Sequence, residues 1–359
     1  MKILFIPYYP ENPYQSILMT SLKQSGVEVY VGNIYGHFSL IKSIRSQVRS
    51  DIIHLHWTHP FILSSTKMKT IIKSTSFLLE LLILRIFGIK IVWTVHNLIS
   101  HESGFPAIEL FANRFTCLFC NQIIVHGSSI RNEVIRKYRI IRIPPINVIP
   151  LANYINYYEN KVDQIEARRQ LRLSLDDRVF LYFGLVRQYK GVVELINSFN
   201  ELTEKSRIDG IKLLIVGRPF NNEVKEEVIS RCKGNEKILT VLKYVDDKDV
   251  QIYMNAADVV VLPFKNILTT SSVSLAMSFG KPIITPAIGN IPDDLNREGG
   301  FLYEASERDG LLNAMKQALQ TEQGELKAMG RHNFEKVKTY TPENTGKETY
   351  EVYAKCLKR

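Results

Sequence analysis

Short apolar runs rich in β-branched and aromatic residues recur along this chain, separated by stretches with helical spacing. The first series is KILFIPY, VEVYVGN, IIHLHW, KIVWTVHN and QIIVHG; after Pro150 it restarts as VFLYFGLV, KLLIVGR, ILTVLKYV, VVVLPF and PIITPAI. Strands that are apolar on both faces and alternate with helices belong to parallel sheets covered on both sides. Two series predict an α/β chain of two Rossmann-like, parallel-sheet domains. The boundary is expected in the polar stretch NYINYYENKVDQ, giving domains of residues 1–155 and 156–341. Ligands of open parallel sheets bind outside the carboxyl ends of the strands, so a cleft faced by both sheets is the expected site.

Composition narrows the class. With 359 residues, 45% of them hydrophobic and 23% charged, the chain reads as an ordinary globular protein with room for two cores. The opening MKILFIPYYP reads as a buried strand rather than a secretory signal. Cys117 and Cys120 have CxxC spacing, but Cys232 and Cys356 are remote, and a zinc site wants four ligands closely spaced. Inert thiols in a reducing, cytoplasmic setting are expected. The net charge of +10 is uneven: residues 1–160 hold 16 basic and 8 acidic residues, a surplus of 16 − 8 = +8, which leaves +2 for the remainder. Such asymmetry calls for an acidic partner of the N-terminal half: nucleic acid, an anionic membrane or a phosphorylated substrate.

The strand ends carry the chemistry. His54, His56, Trp57 and His59 follow the third run, His96, Asn97, His101 and Glu102 the fourth, and His126 with Gly127 the fifth. In the second half Gly184, Arg187 and Lys190 lie in FGLVRQYKG, and Gly217 with Arg218 ends the next run. Just past VVVLPF, Thr269, Thr270, Ser271 and Ser272 crowd four hydroxyls before a short apolar helix that Gly280 and Pro282 stop. One cap needs one hydroxyl; the spare donors suit an anion at the positive end of a helix. With Arg187 and Lys190 they make a clamp of the kind phosphates prefer.

Those motifs, with LLIVGRP, YVDDKDVQIYMNAADVVVLPF and LAMSFGKPIITPAIG, resemble the group 1 glycosyltransferases of the family 4 type, which have the GT-B fold. DIIHLHW and VWTVHNLISHE match more loosely, and YTPENTGKETYEVYAKCL is similar to the family's last helix, so residues 342–359 are expected to pack back on the first domain. The resemblance implies an NDP-sugar donor, UDP- or GDP-linked, bound mainly by the second domain. Lys190 would then meet the diphosphate, Val245 the nucleobase through its backbone, and Thr270, Ser271 and Ser272 the phosphates. His96 would face the transferred sugar, with retention of anomeric configuration.

The chain also departs from the family. The usual arginine is replaced by Leu185, with Arg187 as the expected substitute. YYPENPYQ lacks the usual glycine-rich turn. The paired glutamates are Ile267 and Leu275, and no acid lies between Val259 and Pro292. Glu102 is a candidate general base for the acceptor; the pairs Asp176–Asp177, Asp246–Asp247 and Asp293–Asp294 read as caps. No metal and no cofactor are expected, the nucleotide sugar being a substrate. The basic, apolar stretch KMKTIIKSTSFLLELLILRIFGIK is too charged to span a bilayer. It and IRNEVIRKYRIIR, with Arg131, Arg136, Lys137, Arg139 and Arg142, are expected to touch an anionic membrane, peripheral on its inner face. A glycan or lipid-linked acceptor, not nucleic acid, follows, in bacterial surface polysaccharide synthesis. Two alternatives stay open: a sugar-nucleotide-binding partner without activity, and an NDP-sugar epimerase.

Overall fold

The computed structural model describes residues 1–46, 50–138, 144–206 and 209–358, and divides into two compact units. Unit 1 comprises Met1–Ala152 and Tyr340–Arg359; unit 2 comprises Asn153–Thr339. Both boundaries lie two or three residues ahead of the positions expected from composition. Hydrogen bonds explain the first: Asn153 Nδ2 donates to Val337 O and Tyr154 N to Ser278 Oγ, so residues 153–154 already belong to unit 2.

Unit 1 runs β1 (Lys2–Ile6), α1 (Pro13–Gln24), β2 (Glu28–Val31), α2 (Ser39–Ser46), β3 (Ile52–Leu55), α3 (His59–Ile62), α4 (Lys67–Ile86), β4 (Lys90–Thr94), α5 (Pro106–Phe119), β5 (Gln122–Val125), α6 (Ser128–Tyr138) and β6 (Ile146–Val148). Unit 2 runs α7 (Gln164–Gln170), β7 (Arg178–Phe183), α8 (Val192–Ser206), β8 (Ile211–Val216), α9 (Asn222–Cys232), β9 (Ile238–Val241), α10 (Val250–Ala256), β10 (Val259–Val261), α11 (Ser271–Ser278), β11 (Ile283–Pro286), α12 (Ile291–Asp294), β12 (Gly300–Tyr303), α13 (Gly310–Gln320) and α14 (Gln323–Lys338). The last helix, α15 (Pro342–Leu357), returns to unit 1 and packs on α1.

Each unit holds one parallel six-stranded sheet, in the orders β2-β1-β3-β4-β5-β6 and β12-β11-β10-β7-β8-β9. The order reverses between β1 and β3 in the first sheet and between β7 and β10 in the second. A parallel sheet opens a crevice at such a switch point, and the strand-end residues singled out above follow β3 and β7. Central strands are buried on both faces, as in KILFI and VFLYF. One core gathers Ile3, Phe5, Leu18, Leu22, Val92 and Tyr353, the other Phe180, Leu195, Phe199, Ile215 and Met315.

Candidate functional site

In unit 2 the residues after β7 and β10 come together. Gly184 has φ +140°, and a Cβ there would lie 3.7 Å from Lys190 Nζ and 4.0 Å from Ser272 Oγ. The bare backbone thus leaves room for a small group between an ammonium and a hydroxyl. Gly217, ending β8, has φ +145°, and a Cβ on it would strike Gly184 O at 1.8 Å. Lys190 ends a short 3-10 turn, Gln188–Lys190, instead of opening α8 directly. Gly191, at φ +72°, follows; a Cβ there would meet Pro263 O at 1.8 Å, and Lys265 N donates to Tyr189 O at 2.9 Å. Two turns from adjacent strands therefore touch backbone to backbone, which sets Lys190 beside Ser272.

Lys190 Nζ lies 5.6 Å from the centroid of the Phe264 ring. Loss of hydration, with Arg187 nearby, pushes its pKa down to about 8, as befits an ammonium waiting for an anion. Thr270 caps α11, its Oγ1 accepting from Ser272 N at 3.1 Å. Ser271 is exposed, and its side chain hydrogen-bonds Tyr154, a buried phenol whose pKa rises to about 12. Thr269 Oγ1 is buried with no hydrogen-bond partner among the described residues. Four hydroxyls thus divide: one caps, one holds a tyrosine, Ser272 faces Lys190 and Thr269 Oγ1 is unmatched.

The expected clamp is split. Arg187 sits with its guanidinium 4.4 Å from the Phe220 ring centroid. It lines an open groove that also carries Glu194, Glu227 and Lys265, the last paired with Glu194. Arg218 is exposed, with its carbonyl accepting from Val186 N at 3.0 Å, and Val245 is partly exposed beside the exposed Tyr244. Ile267, at a usual glutamate position, is buried at 6% exposure, and the loop it shares with Leu268 is pinned from below: Asn290 N donates to Leu268 O at 2.9 Å. Leu275, at the other, is partly exposed on α11.

In unit 1 the strand-end histidines form one stack. His54 and His56 lie with centroids 4.2 Å apart, and His96 lies on Trp57 at 4.4 Å with the rings 18° from parallel. His96 Nε2 is 3.5 Å from His56 Nδ1, and Tyr14 stands edge-on to His56, His96 and His126. His54 is spoken for, 2.6 Å from Tyr353 Oη and 2.7 Å from Thr94 Oγ1. His126 Nδ1 is 2.9 Å from Ile149 O. A carbonyl only accepts, so this nitrogen carries the proton and Nε2 keeps its lone pair. Neither His126 Nε2 nor His56 Nε2 has a partner among the described residues.

Burial lowers every one of these histidines: His54 to about 3 and His56 and His96 well below the ordinary value, with neighbouring imidazoles adding to the effect, and His126 to about 4, the hydrogen bond to Ile149 O partly opposing it. The stack is neutral at pH 7, so His96 can accept or donate a hydrogen bond but does not offer a cation. No group of three His, Cys, Asp or Glu side chains among the described residues is arranged to hold a metal ion.

Glu102 lies exposed in the turn after β4. The acid that shapes this loop is Glu109 on α5, 1% exposed, whose Oε1 accepts from Ser100 N at 2.9 Å. Burial raises its pKa, partly offset by Ser103 and Ser100. Asn113 of α5 donates to Leu98 O and Tyr138 Oη does the same, both at 3.1 Å. No motif in the sequence marks these three supports; only the packing of α5 and α6 turns them toward the loop. The cysteines are free thiols, and burial raises Cys117, Cys120 and Cys232.

Two Rossmann-like units, the second with a lysine, a glycine and hydroxyls gathered at its sheet switch point, have the architecture of the GT-B glycosyltransferase fold. Solved structures agree on the fold. Sucrose-phosphate synthase from Thermosynechococcus elongatus aligns with TM-score 0.78 at 16% identity, covering 99% of this chain and 98% of that one. Anabaena HepE in complex with UDP-glucose aligns with TM-score 0.75 at 16% identity, covering 99% and 100%. The family model of the glycosyl transferases group 1 matches residues 163–336, nearly all of unit 2. The chain is similar to the GDP-mannose:glycolipid 4-beta-D-mannosyltransferase of Xanthomonas campestris pv. campestris, 27% identical over 281 residues, 77% of this chain and 73% of that protein. Over residues 163–336 the chain matches the group 1 glycosyltransferases, and unit 2 carries that match.

Proposed function

We propose that the chain transfers a hexose from a UDP- or GDP-linked sugar to a glycan or lipid-linked acceptor in bacterial surface polysaccharide synthesis, without a metal or cofactor. The observation that carries this reading is that Lys190 Nζ and Ser272 Oγ both border the space a Cβ on Gly184 would fill, at 3.7 Å and 4.0 Å, at the switch point of unit 2. The Xanthomonas relative, whose name gives GDP-mannose as donor and a glycolipid as acceptor, supports it. So does the UDP-glucose held by HepE.

In this reading Lys190, Ser272 and the start of α11 take up the charge that develops on the departing diphosphate, and Arg187 adds to the field from its groove. The backbone of Val245 meets the base, and Gly217 and Arg218 border the phosphates. Neutral His96 hydrogen-bonds the sugar, and Glu102 takes the acceptor hydroxyl's proton. The protein sits in the cytoplasm, peripheral on the inner face of the membrane. No helix among the described residues is long and apolar enough to cross one.

A thermal-shift screen against UDP, GDP, ADP and their sugars tests donor binding; no shift with any of them sinks the reading. Transfer is separated from an inactive binding partner by product formation, and from an epimerase by whether the donor is converted with no acceptor present.

Stereochemistry has a second reading. The family resemblance implies retention. Ile267 and Leu275 in place of both glutamates, and the beta linkage in the Xanthomonas relative's name, favour inversion if the donor is α-linked. An NMR time course that follows the product anomer decides between them.

A further inference from the structure

Helix α4 is apolar on two opposite sides. Thr70, Ser74, Phe77, Leu81 and Leu84 face the core. Met68, Ile72, Leu79, Leu82 and Ile86, spaced at three, four and seven residues, form a second stripe that is exposed, from 43% for Leu82 to 73% for Ile86. A surface helix needs only one apolar stripe. The neighbouring α5 continues the outer one with Phe111, Phe115 and Leu118, at 56%, 38% and 47%. Arg85 Nη1 donates to Phe119 O at 3.1 Å and ties the two helix ends together, next to the exposed Phe87. Scattered exposed apolar residues are normal; a continuous run across two packed helices marks an interaction surface.

The charges decide what covers it. Lys67, Lys69 and Arg85 of α4 are exposed. The acids of the two helices, Glu80 and Glu109, are turned in, at 2% and 1% exposure. Glu80 Oε1 accepts from Ile41 N at 3.1 Å, and burial raises its pKa to about 7. The outer face of α4 and α5 therefore offers apolar side chains ringed by positive charge alone. A second copy meeting it about a twofold axis would set lysines against lysines. An anionic bilayer surface answers both features.

We propose that the outer face of α4 and α5 docks on an anionic lipid surface, with the stripe from Met68 to Ile86 and Phe111, Phe115 and Leu118 entering the headgroup layer. This deepens the reading of a lipid-linked acceptor and locates the contact on named residues. It moves the emphasis from the expected 131–142 segment, where Arg136 pairs with Glu133 and Arg139 and Arg142 lie outside the described residues.

Flotation of the full chain with phosphatidylglycerol-containing and pure phosphatidylcholine vesicles tests it, at low and high salt. The wild type is expected to float with the anionic vesicles, and part of it to stay bound at high salt. Lys67→Gln with Lys69→Gln should reduce low-salt binding about tenfold or more, since each basic residue near such a surface is worth about fivefold. Leu79→Gln with Leu82→Gln and Ile86→Gln should remove the salt-resistant fraction. These side chains are exposed, so thermal unfolding should be unchanged, and donor-induced thermal shifts, which report on unit 2, should persist in every variant. A wild type that ignores anionic vesicles overturns the proposal, as does a wild-type dimer in light scattering that the stripe variant splits. Loss of the donor shift in the wild type would instead strike the glycosyl-transfer reading and leave the flotation result standing.

Discussion

Lys190 and Arg187 looked equivalent as sequence, two basic residues three apart after a strand. Their surroundings differ. Lys190 faces the space beside Gly184 with Ser272, whereas Arg187 stacks on Phe220 in a groove that holds Glu194 and Glu227. A hydrogen bond to a charged group is worth about 1.5–3 kcal/mol, against about 1 for a neutral one. Lys190→Ala should therefore weaken donor binding about tenfold or more, and more than either Arg187→Ala or Ser272→Ala, as calorimetric titration with a nucleoside diphosphate would read. Equal effects of both basic variants would restore the symmetric clamp. The histidine stack makes a second residue-scale prediction. His126 titrates at about 4 in the fold and near its ordinary value of 6.5 in the unfolded chain. As pH falls below 6.5 the unfolded chain takes the proton first, so stability present above that pH is lost on the way down to 4, by up to about 1.4 kcal/mol per pH unit for this group. His126→Asn keeps a donor for Ile149 O and should flatten the acid limb of urea-unfolding midpoints between pH 6.5 and 4.

Elements differ in how plainly the sequence announces them. The strands at the centre of each sheet are buried on both faces, so VFLYF and KLLIV read as unbroken apolar runs. The edge strands β6 and β12, INV and GFLY, are missing from the sequence reading because they are three and four residues long and mostly half-buried. Pattern cannot lift so short a run above a loop. The site divides the same way. Gly184, Lys190 and Ser272 sit at strand ends, where topology forces chemistry to gather. Tyr154, Glu109 and Asn113 act from a linker and a helix, and only tertiary packing turns them inward. Turn contacts carry their own prediction. A side chain at Gly191 would overlap Pro263 O, at a φ that costs a non-glycine residue about 1–2 kcal/mol before the clash. Gly191→Ala should lower the melting temperature of unit 2 and the donor affinity together, because the same contact sets Lys190.

At the scale of the molecule, each unit has its own sheet and core, so two unfolding transitions are expected. Asp258 is a lever for one of them. It pairs with Arg168 at 2.7 Å with both side chains almost fully buried, and it accepts from Val179 N and the amides of Gln164 and Gln323. Removing one partner of a buried pair costs about 3–5 kcal/mol because the other charge is stranded. Asp258→Ala should drop the unit 2 transition in calorimetry and leave that of unit 1 in place; a shift of both would mean the units unfold as one. Unit 1 depends on a late arrival. Tyr353 and Val352 of α15 are part of its core, and Tyr353 Oη meets His54. On the ribosome this helix emerges after the whole of unit 2, so the half made first is completed last. Until then the faces of Leu18 and Leu22 that α15 covers stand open to chaperones and to other nascent chains. A stalled or truncated product would present a finished unit 2 joined to an unfinished unit 1, and proteolysis in the cell should remove the first half of such a product before the second.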